Sequence, residues 1–387
     1  MTGRSERSEF DDLSAISGFP GGPRKGLLPV RVLIPDGDSP FALLVAQCIK
    51  RADPRIRVEA AYVDRRALSR FSRFVSHTYP LDPSAPGESL TVLLSKNPDM
   101  VLMPVSGPGI ATVTLMAAHL GKLVRMVPFP TPDQLGCVND KWKFHLAMQA
   151  AGFAVPDTVL LDSLACLEHF GPEDALLVKP RTGSGGKDIH MFGNAGELRG
   201  KAGKYLLPGH PYMVQRFVEG HDIDCSVLCK DGQVLACSVQ RPLATAAKFG
   251  PGSVLRFLRD EAVEQLVQRI MFEFRWNGIA HLDLRYARDG DGPFVIEINP
   301  RYWSTLMGSL VAGVNFPWAH LCSAMDDPVT RLTNYESYYS GIRTWPSLYR
   351  KYRTPLSHTS LFFNFADPVA KVMQRVRPST SMAQGAA

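Results

Sequence analysis

Three short, almost uninterrupted apolar runs punctuate the first third of the chain: VRVLIP (30–35), RVEAAYVD (57–64) and MVLMPV (100–105). Between them lie stretches of helical or turn character, beginning with FALLVAQCIKRA after Asp36-Gly37-Asp38. A strand that is apolar along its whole length is covered on both faces. Such strands alternating with helices imply an α/β layer built on a parallel sheet. Residues 27–130 therefore read as one small α/β domain behind a polar, disordered head at 1–26. PFPTPDQLG (128–136) reads as a linker. NDKWKFHLAMQAAGFAVP then reads as a helix ending at Gly152, with Pro156 beyond it as a stop.

From residue 175 the texture changes to paired strands. LLVKP (176–180) enters the loop RTGSGGK and returns as DIHMF, and YMVQRF precedes DIDCSVLCK, an Asp231-Gly232 turn and QVLACSVQRP. Val263, Leu266, Val267, Ile270, Met271 and Phe274 repeat at helical spacing, and Gly278 lies just past them. IAHLDLRYA and PFVIEIN close the region as a hairpin around RDGDG. The fold class expected is α/β followed by α+β: a parallel-sheet domain, then a mixed-sheet unit to about residue 335.

With 387 residues, 45% of them apolar, the chain has material for two or three packed units. Its formal charge of +6 could suggest a nucleic-acid partner. The charge is uneven, however. From Gly341 onward Arg343, Arg350, Lys351, Arg353, Lys371, Arg375 and Arg377 face Asp367 alone, so the last 47 residues, within the basic extension 336–387, hold the whole excess. The body is near neutral, with no basic stripe to track a phosphate backbone, and no nucleic-acid partner is expected. In the extension, Phe365, Val369, Val372, Met373 and Val376 fall at helical spacing with Lys371 and Arg375 off the stripe. That pattern suits a helix packing its apolar side on the body. The alternative is a helix lying on an anionic membrane surface or a protein partner. Residues past Pro378 look disordered.

The seven cysteines are irregularly spaced and lack CxxC pairs, which fits buried reduced thiols. No apolar signal segment is visible near Met1, and Met100–Gly121 reads as strand, loop and helix rather than a membrane span. A cytoplasmic location is expected.

If the last hairpin turns at Gly290, Asp283 stands opposite Glu297 and His281 opposite Asn299. Alternation then puts His281, Asp283 and Arg285 on one face with Val295, Glu297 and Asn299 on the facing strand. Opposed carboxylates repel unless a cation lies between them, and an all-oxygen set of Asp283, Glu297 and Asn299 suits Mg²⁺ or Mn²⁺. The same pattern also fits the solvent side of a sheet. In the loop Thr182-Gly183-Ser184-Gly185-Gly186-Lys187, small residues would let backbone N–H groups approach phosphate oxygens. It is not a Walker A loop: Arg181 replaces the first glycine, Asp188 the Ser/Thr, and a strand follows. Taken alone the loop also reads as a simple turn, but Lys179, inside an apolar strand just before it, favours a phosphate. At the Asp231-Gly232 turn, counting puts Asp222 opposite Arg241 and Asp224 opposite Val239. Asp222–Arg241 is either a cleft-facing pair or a surface one. His281 could act as a base or be a hydrogen-bonded sheet histidine.

In order, VKPRTGSGGKDI, MVQRFVEGHDIDCSV, AHLDLRY and VIEINPRYW resemble the ATP-grasp superfamily, in its carbamoyl-phosphate-synthase-like, carboxylate–amine ligase branch. The resemblance runs over about residues 26–327. It implies an ATP-grasp domain at 131–335, with a lid at about 155–217, and ATP with Mg²⁺ or Mn²⁺ as cofactors. It implies that Lys179, Lys141 and the loop Thr182, Gly183, Ser184, Gly185, Gly186 contact nucleotide phosphates. Gln215, which stands where many members have Glu, would receive adenine together with backbone groups of Arg216 and Val218. Asp283, Glu297 and Asn299 would hold metal, Arg301 would steady the transferred phosphoryl group, and Arg241 would open a substrate loop. The activity implied is formation of an acyl phosphate from a small carboxylate and transfer of the acyl group to an amine. Bicarbonate phosphorylation, or a nucleotide-binding regulatory protein without turnover, are the alternatives. A homodimer is compatible with the fold.

Overall fold

The computed structural model describes residues 30–376 except 184, 187, 207–210, 246–248, 251, 289, 291, 326–330 and 342. The expected disordered head and the end of the chain lie outside the described residues.

The first sheet contains β1 (Arg31–Ile34), β2 (Arg57–Tyr62), β3 (His77–Pro80), β4 (Met100–Leu102) and β5 (Arg125–Met126). All neighbours are parallel, in the order β3-β2-β1-β4-β5. Helices cover both faces, as the apolar runs require. α1 (Pro40–Ala52) packs against one side, and α2 (Pro86–Ser95) and α3 (Gly107–Leu120) against the other. The strand order reverses between β1 and β4, so the loops after these two strands diverge and leave a crevice between them. Asp36 ties the loops together by accepting from the Val105 and Ser106 amides.

After α4 (Pro132–Val138) and α5 (Lys141–Ala150), a separate antiparallel sheet runs β6-β9-β7-β8. Its strands are β6 (Thr158–Leu160), β7 (Leu176–Pro180), β8 (His190–Phe192) and β9 (Tyr212–Arg216). It packs its own core of Leu161, Leu167, Phe170, Leu176, Val178, Phe192, Leu198, Tyr205 and Val214 around the short α6 (Ala195–Arg199).

The largest sheet is built from β10 (Gly220–Lys230), β11 (Gln233–Thr245), β12 (Gly252–Leu258), β13 (Gly278–Ala287) and β14 (Pro293–Asn299). Two short strands, β15 (Leu332–Thr333) and β16 (Ser337–Ser340), join it by pairing with β11 and β12. α7 (Glu261–Glu273) is capped by the Asp260 side chain accepting from the Val263 amide, and it buries Val263, Val267, Ile270 and Met271 on one face of this sheet. Each such side chain contributes about 1.5–3 kcal/mol. Gly278 adopts φ +82° beside the linker, where a Cβ would come within 2.6 Å of the Pro128 carbonyl oxygen. α8 (Leu306–Val311) and α9 (Phe316–Ala324) cover one end of the opposite face and share a core with the first domain. That leaves the rest of this face polar.

Two expectations about registers need correction. The β10–β11 pairing shifts at a bulge between Leu228 and Cys229, so Asp224 faces Gln240 rather than Val239, and Arg241 pairs with Arg256 of β12. Asp222 instead lies opposite Arg285 and forms an ion pair with it. A second shift, between Asp283 and Leu284, puts Val295 opposite Leu284 and buries it with the α7 core, away from Glu297.

The tail differs as well. After α10 (Trp345–Tyr352) and α11 (Ser360–Phe365), α12 (Pro368–Val376) docks through Ala370 on the 3₁₀ turn Leu68–Phe71 of the first domain. Its stripe does not pack on the body: Val369 and Val372 are each 58% exposed and Val376 67%. Among the described residues no helix is long and apolar enough to cross a membrane, and Met100–Gly121 is β4, a loop and α3.

Candidate active site

Four strands each place one polar residue in a single row across the polar face of the large sheet: Gln240, Asp224, Asp283 and Glu297. The next row along is Ser226, His281 and Asn299. Alternation forces this arrangement, because Ile223, Cys225, Val239, Leu282 and Ile298 on the same strands point into the α7 core.

Asp283 faces Glu297 as the turn count implies, but through compensation. Nearer the turn the pairing is one residue off the count (Leu284 with Val295), and the bulge between Asp283 and Leu284 restores the counted register at the site. The Asn299 amide donates to Glu297 Oε1 at 3.0 Å and Asp283 Oδ2 at 3.4 Å, while its oxygen accepts from Arg301 at 3.2 Å. Loss of solvation, then Glu297 and Asp224, push Asp283 well above the usual carboxylate range. Burial likewise pushes Asp224 up to about 7, although Gln240 donates to it at 3.0 Å. Burial works against ionised Glu297 too, but Lys141, the hydrogen bond with Asp283, Lys179 and Asn299 outweigh it and hold its carboxyl below the ordinary value. The row is therefore a concentration of carboxyl oxygens short of compensating charge. Such a donor set fits a hard divalent cation, with the Asn299 amide turned so that its oxygen faces inward. Asp224, His281 and Asp283 also bring ligand atoms within 4.8 Å of one another.

Cationic groups approach this row from three directions. Lys141, at the start of α5, reaches Glu297 Oε2 at 3.6 Å and donates to the Gly183 carbonyl. Its position is set by Asp140, the α5 cap, which takes the Arg181 guanidinium at 2.7 Å while the Lys141 amide donates to the Arg181 carbonyl. Lys179, only 3% exposed on β7, donates to Gln215 Oε1 at 2.8 Å, and burial brings its pKa down to about 8. Arg301 follows β14 and donates to the Tyr302 carbonyl and to Asn299. Its guanidinium lies 5.4 Å from the Phe41 ring centre, and the adjacent Tyr302 amide donates to Val105. Arg301 is thereby set against the crevice between the β1 and β4 loops.

The glycine loop joins β7 to β8. Gly183, Gly185 and Gly186 all have positive φ. Gly186 must be glycine, because a Cβ there would meet the Phe249 carbonyl oxygen at 2.4 Å. Thr182 and Gly183 are exposed. Ser184 and Lys187 lie outside the described residues.

Several of the groups expected near adenine have partners within the chain. The Thr158 hydroxyl donates to the Pro156 carbonyl, so its oxygen accepts from the Gln215 amide, and the Gln215 carbonyl is thereby turned to Lys179. The Arg216 amide donates to Asp157 and the Val218 carbonyl accepts from Arg285. Arg241 is not brought to the row either. Gln240 points into it, so alternation sends Arg241 to the opposite face. There burial, then Arg241, lowers the pKa of His221. His281 is held between Ser226, at 2.8 Å from Nδ1, and the Trp303 ring stacked 5.4 Å away. Burial, then Arg301, brings it down to about 3, as befits a neutral sheet histidine rather than a base. Sequence reasoning missed Asp224, Gln240 and Arg181. The alternation of Asp222, Asp224 and Ser226 against Ile223, Cys225 and Val227 was the available signal for the first.

Lys179 on β7, Lys141 at the start of α5 and Arg301 after β14 thus approach one carboxylate row on the large sheet, next to the glycine loop. Residues 138–305 match the ATP-grasp domain family, and the chain carries an ATP-grasp domain over that span. It is 24% identical over 239 residues to the carbamoyl phosphate synthase large chain of Methanosarcina acetivorans, covering 56% of this chain and 22% of that one. The Methanosarcina mazei protein matches at the same level over 238 residues. The chain thus spans about a fifth of the length of these curated relatives. Among solved structures, the biotin carboxylase domain of Hydrogenobacter thermophilus 2-oxoglutarate carboxylase, a dimer with MgADP, ADP and bicarbonate, is similar at TM-score 0.63 and 16% identity. That match covers 80% of this chain and 73% of the other. N5-carboxyaminoimidazole synthetase from Staphylococcus aureus, with ADP, gives TM-score 0.61 at 13% identity, covering 79% of each chain. The L-amino acid ligase of Bacillus licheniformis gives 0.55 at 20%, covering 77% and 74%. These likenesses show a shared mixed α/β fold.

Proposed function

We propose that the chain is an ATP-dependent ligase that joins a small carboxylate to an amine through an acyl phosphate. The observation that carries this reading is the Asp224–Asp283–Glu297 row beside Asn299, with Lys141, Lys179 and Arg301 converging on it beneath a glycine loop. The names of the similar proteins, which include an amino acid ligase and a synthetase solved with ADP, support the same class.

A carboxylate is a poor acyl donor because oxide is a poor leaving group. Its oxygen attacks the γ-phosphorus, the bond to the β-phosphate oxygen breaks, and ADP leaves. The amine nitrogen then attacks the acyl carbon, inorganic phosphate departs with the C–O electron pair, and the nitrogen loses a proton. In this reading Asp283, Glu297 and Asn299 hold Mg²⁺ or Mn²⁺, which supplies charge neutralisation at the phosphates. Lys141 and Lys179 bind the phosphates from the lid side, and the loop 182–187 closes over them. Arg301, set against the crevice of the first domain, holds the transferred group near the carboxylate substrate. No protein nucleophile is required.

Phosphate release from ATP, screened across amino acids and small carboxylates with and without amines, tests this function. Stimulation that needs both a carboxylate and an amine, and is lost in Glu297→Ala, is expected. A second reading, bicarbonate as the carboxylate, is favoured by the bicarbonate complex of the 2-oxoglutarate carboxylase domain. It predicts bicarbonate-stimulated release without an amine. ATP binding with no stimulated release points to a regulatory protein.

A further inference from the structure

The outward stripe of α12 does not stand alone on the surface. Asp367, just before the helix, accepts from the Ser72 hydroxyl and from the Arg73 amide at 3.1 Å, and Ala370 is buried against the same part of the first domain. This joins α12 to the segment 65–73, RRALSRFSR, in which Arg65, Arg66, Arg70 and Arg73 are all exposed. Inside this segment Leu68 and Ser69 are buried and Ala67 is fully so, which anchors it. Arg66 is ion-paired with Asp64 at 3.1 Å and the Arg70 guanidinium lies 5.0 Å from the Tyr62 ring centre, so Arg65 and Arg73 contribute the more open positive charge. On the helix side, Val369, Val372 and Val376 form one outward line, and Phe365, at the end of α11, is 71% exposed beside them. Two stretches some 300 residues apart in sequence thus meet, one carrying an exposed apolar stripe and the other exposed arginines.

We propose that this composite face is a docking surface for an anionic phospholipid membrane. An exposed helix face of valines and a phenylalanine is driven out of water, and its insertion needs only a fluid apolar phase, not a shaped groove. The exposed guanidinium groups complement anionic headgroups. They come from the first domain, so the attraction does not depend on the tail's own charge. No transmembrane element is involved, and contact of this area and charge is reversible and salt-sensitive. The proposal is independent of the chemistry of the cleft.

The test is flotation of the full chain with vesicles of phosphatidylcholine alone or with about 30% phosphatidylglycerol, at low and high salt. Binding at least about 10-fold stronger to the anionic vesicles, weakened by salt, is expected. Val372→Asp with Val376→Asp, and separately Arg65→Glu with Arg73→Glu, each remove it while the urea midpoint stays at the wild-type value. Equal binding to both vesicle types, no binding to either, or binding unaffected by the valine substitutions overturns the proposal. So does a concentration-dependent dimer that Val372→Asp dissociates in a chain that ignores vesicles, because the face then belongs to a second copy.

Discussion

Two hairpins of the large sheet, β13–β14 and β10–β11, present the same problem to anyone counting back from a turn. Both contain a bulge. In β13–β14 the shift lies between Asp283 and Leu284, and counting from Gly290 still puts Asp283 opposite Glu297 and His281 opposite Asn299, while misplacing Val295. In both hairpins the bulge lies between the turn and the residues of interest, but in β10–β11 the pairs at the turn match the count, so nothing cancels the shift and every pair from Leu228 onward slips by one. A one-residue slip changes every partner it reaches. That slip leaves Asp224 facing Gln240 inside the carboxylate row, while Asp222 finds its ion-pair partner Arg285 on the other neighbouring strand, β13.

The largest effect should fall on the hairpin whose pairing at the site survives. Glu297→Ala removes the carboxylate nearest Lys141, and phosphate release should fall by at least about 10²–10³-fold in a steady-state assay. Asp224→Asn comes next: it keeps the hydrogen bond with Gln240 but removes charge from the row, and a loss of about 10–100-fold is expected. If Asp224→Asn matched the wild type, the row would end at Asp283 and the β10 strand would be structural only. The Arg285 side chain donates to the Val218 and Gly220 carbonyls, ion-pairs with Asp222 and lies over the Phe217 ring. Arg285→Ala should lower stability by about 1–2 kcal/mol in urea unfolding. Arg241→Ala, with no carboxylate opposite, should change stability by less than about 0.5 kcal/mol and leave phosphate release intact. A large loss from Arg241→Ala with none from Arg285→Ala would restore the register that counting implied.

Much of the architecture was legible because it rests on period. The apolar runs at 30–35, 57–64 and 100–105 are β1, β2 and β4 of a parallel sheet, and the 263–274 spacing is α7. The facing of Asp283 and Glu297, with Asn299 on the same face, was legible from alternation and the turn count, helped by a bulge that cancels a one-residue offset at the turn. What sequence could not give was contact between distant segments. Arg181, just after β7, holds the cap of α5, Thr158 fixes which end of the Gln215 amide meets Lys179, and the Asp157 carbonyl occupies the Arg216 amide. The tail stripe was visible as a helix, but its facing was not. Ala370, one small residue off the stripe, is the buried contact, and Asp367 fixes the orientation through Ser72 and Arg73.

The central claim is that the row on the large sheet directs transfer of the γ-phosphoryl group to a carboxylate. It is tested most directly by ³¹P NMR of ATP turnover by the full chain with Mg²⁺ and the stimulating carboxylate and amine. The account predicts ADP and inorganic phosphate as the products, formed by the wild type and not by Glu297→Ala. AMP and pyrophosphate, or ADP formation indifferent to Glu297→Ala, would contradict it.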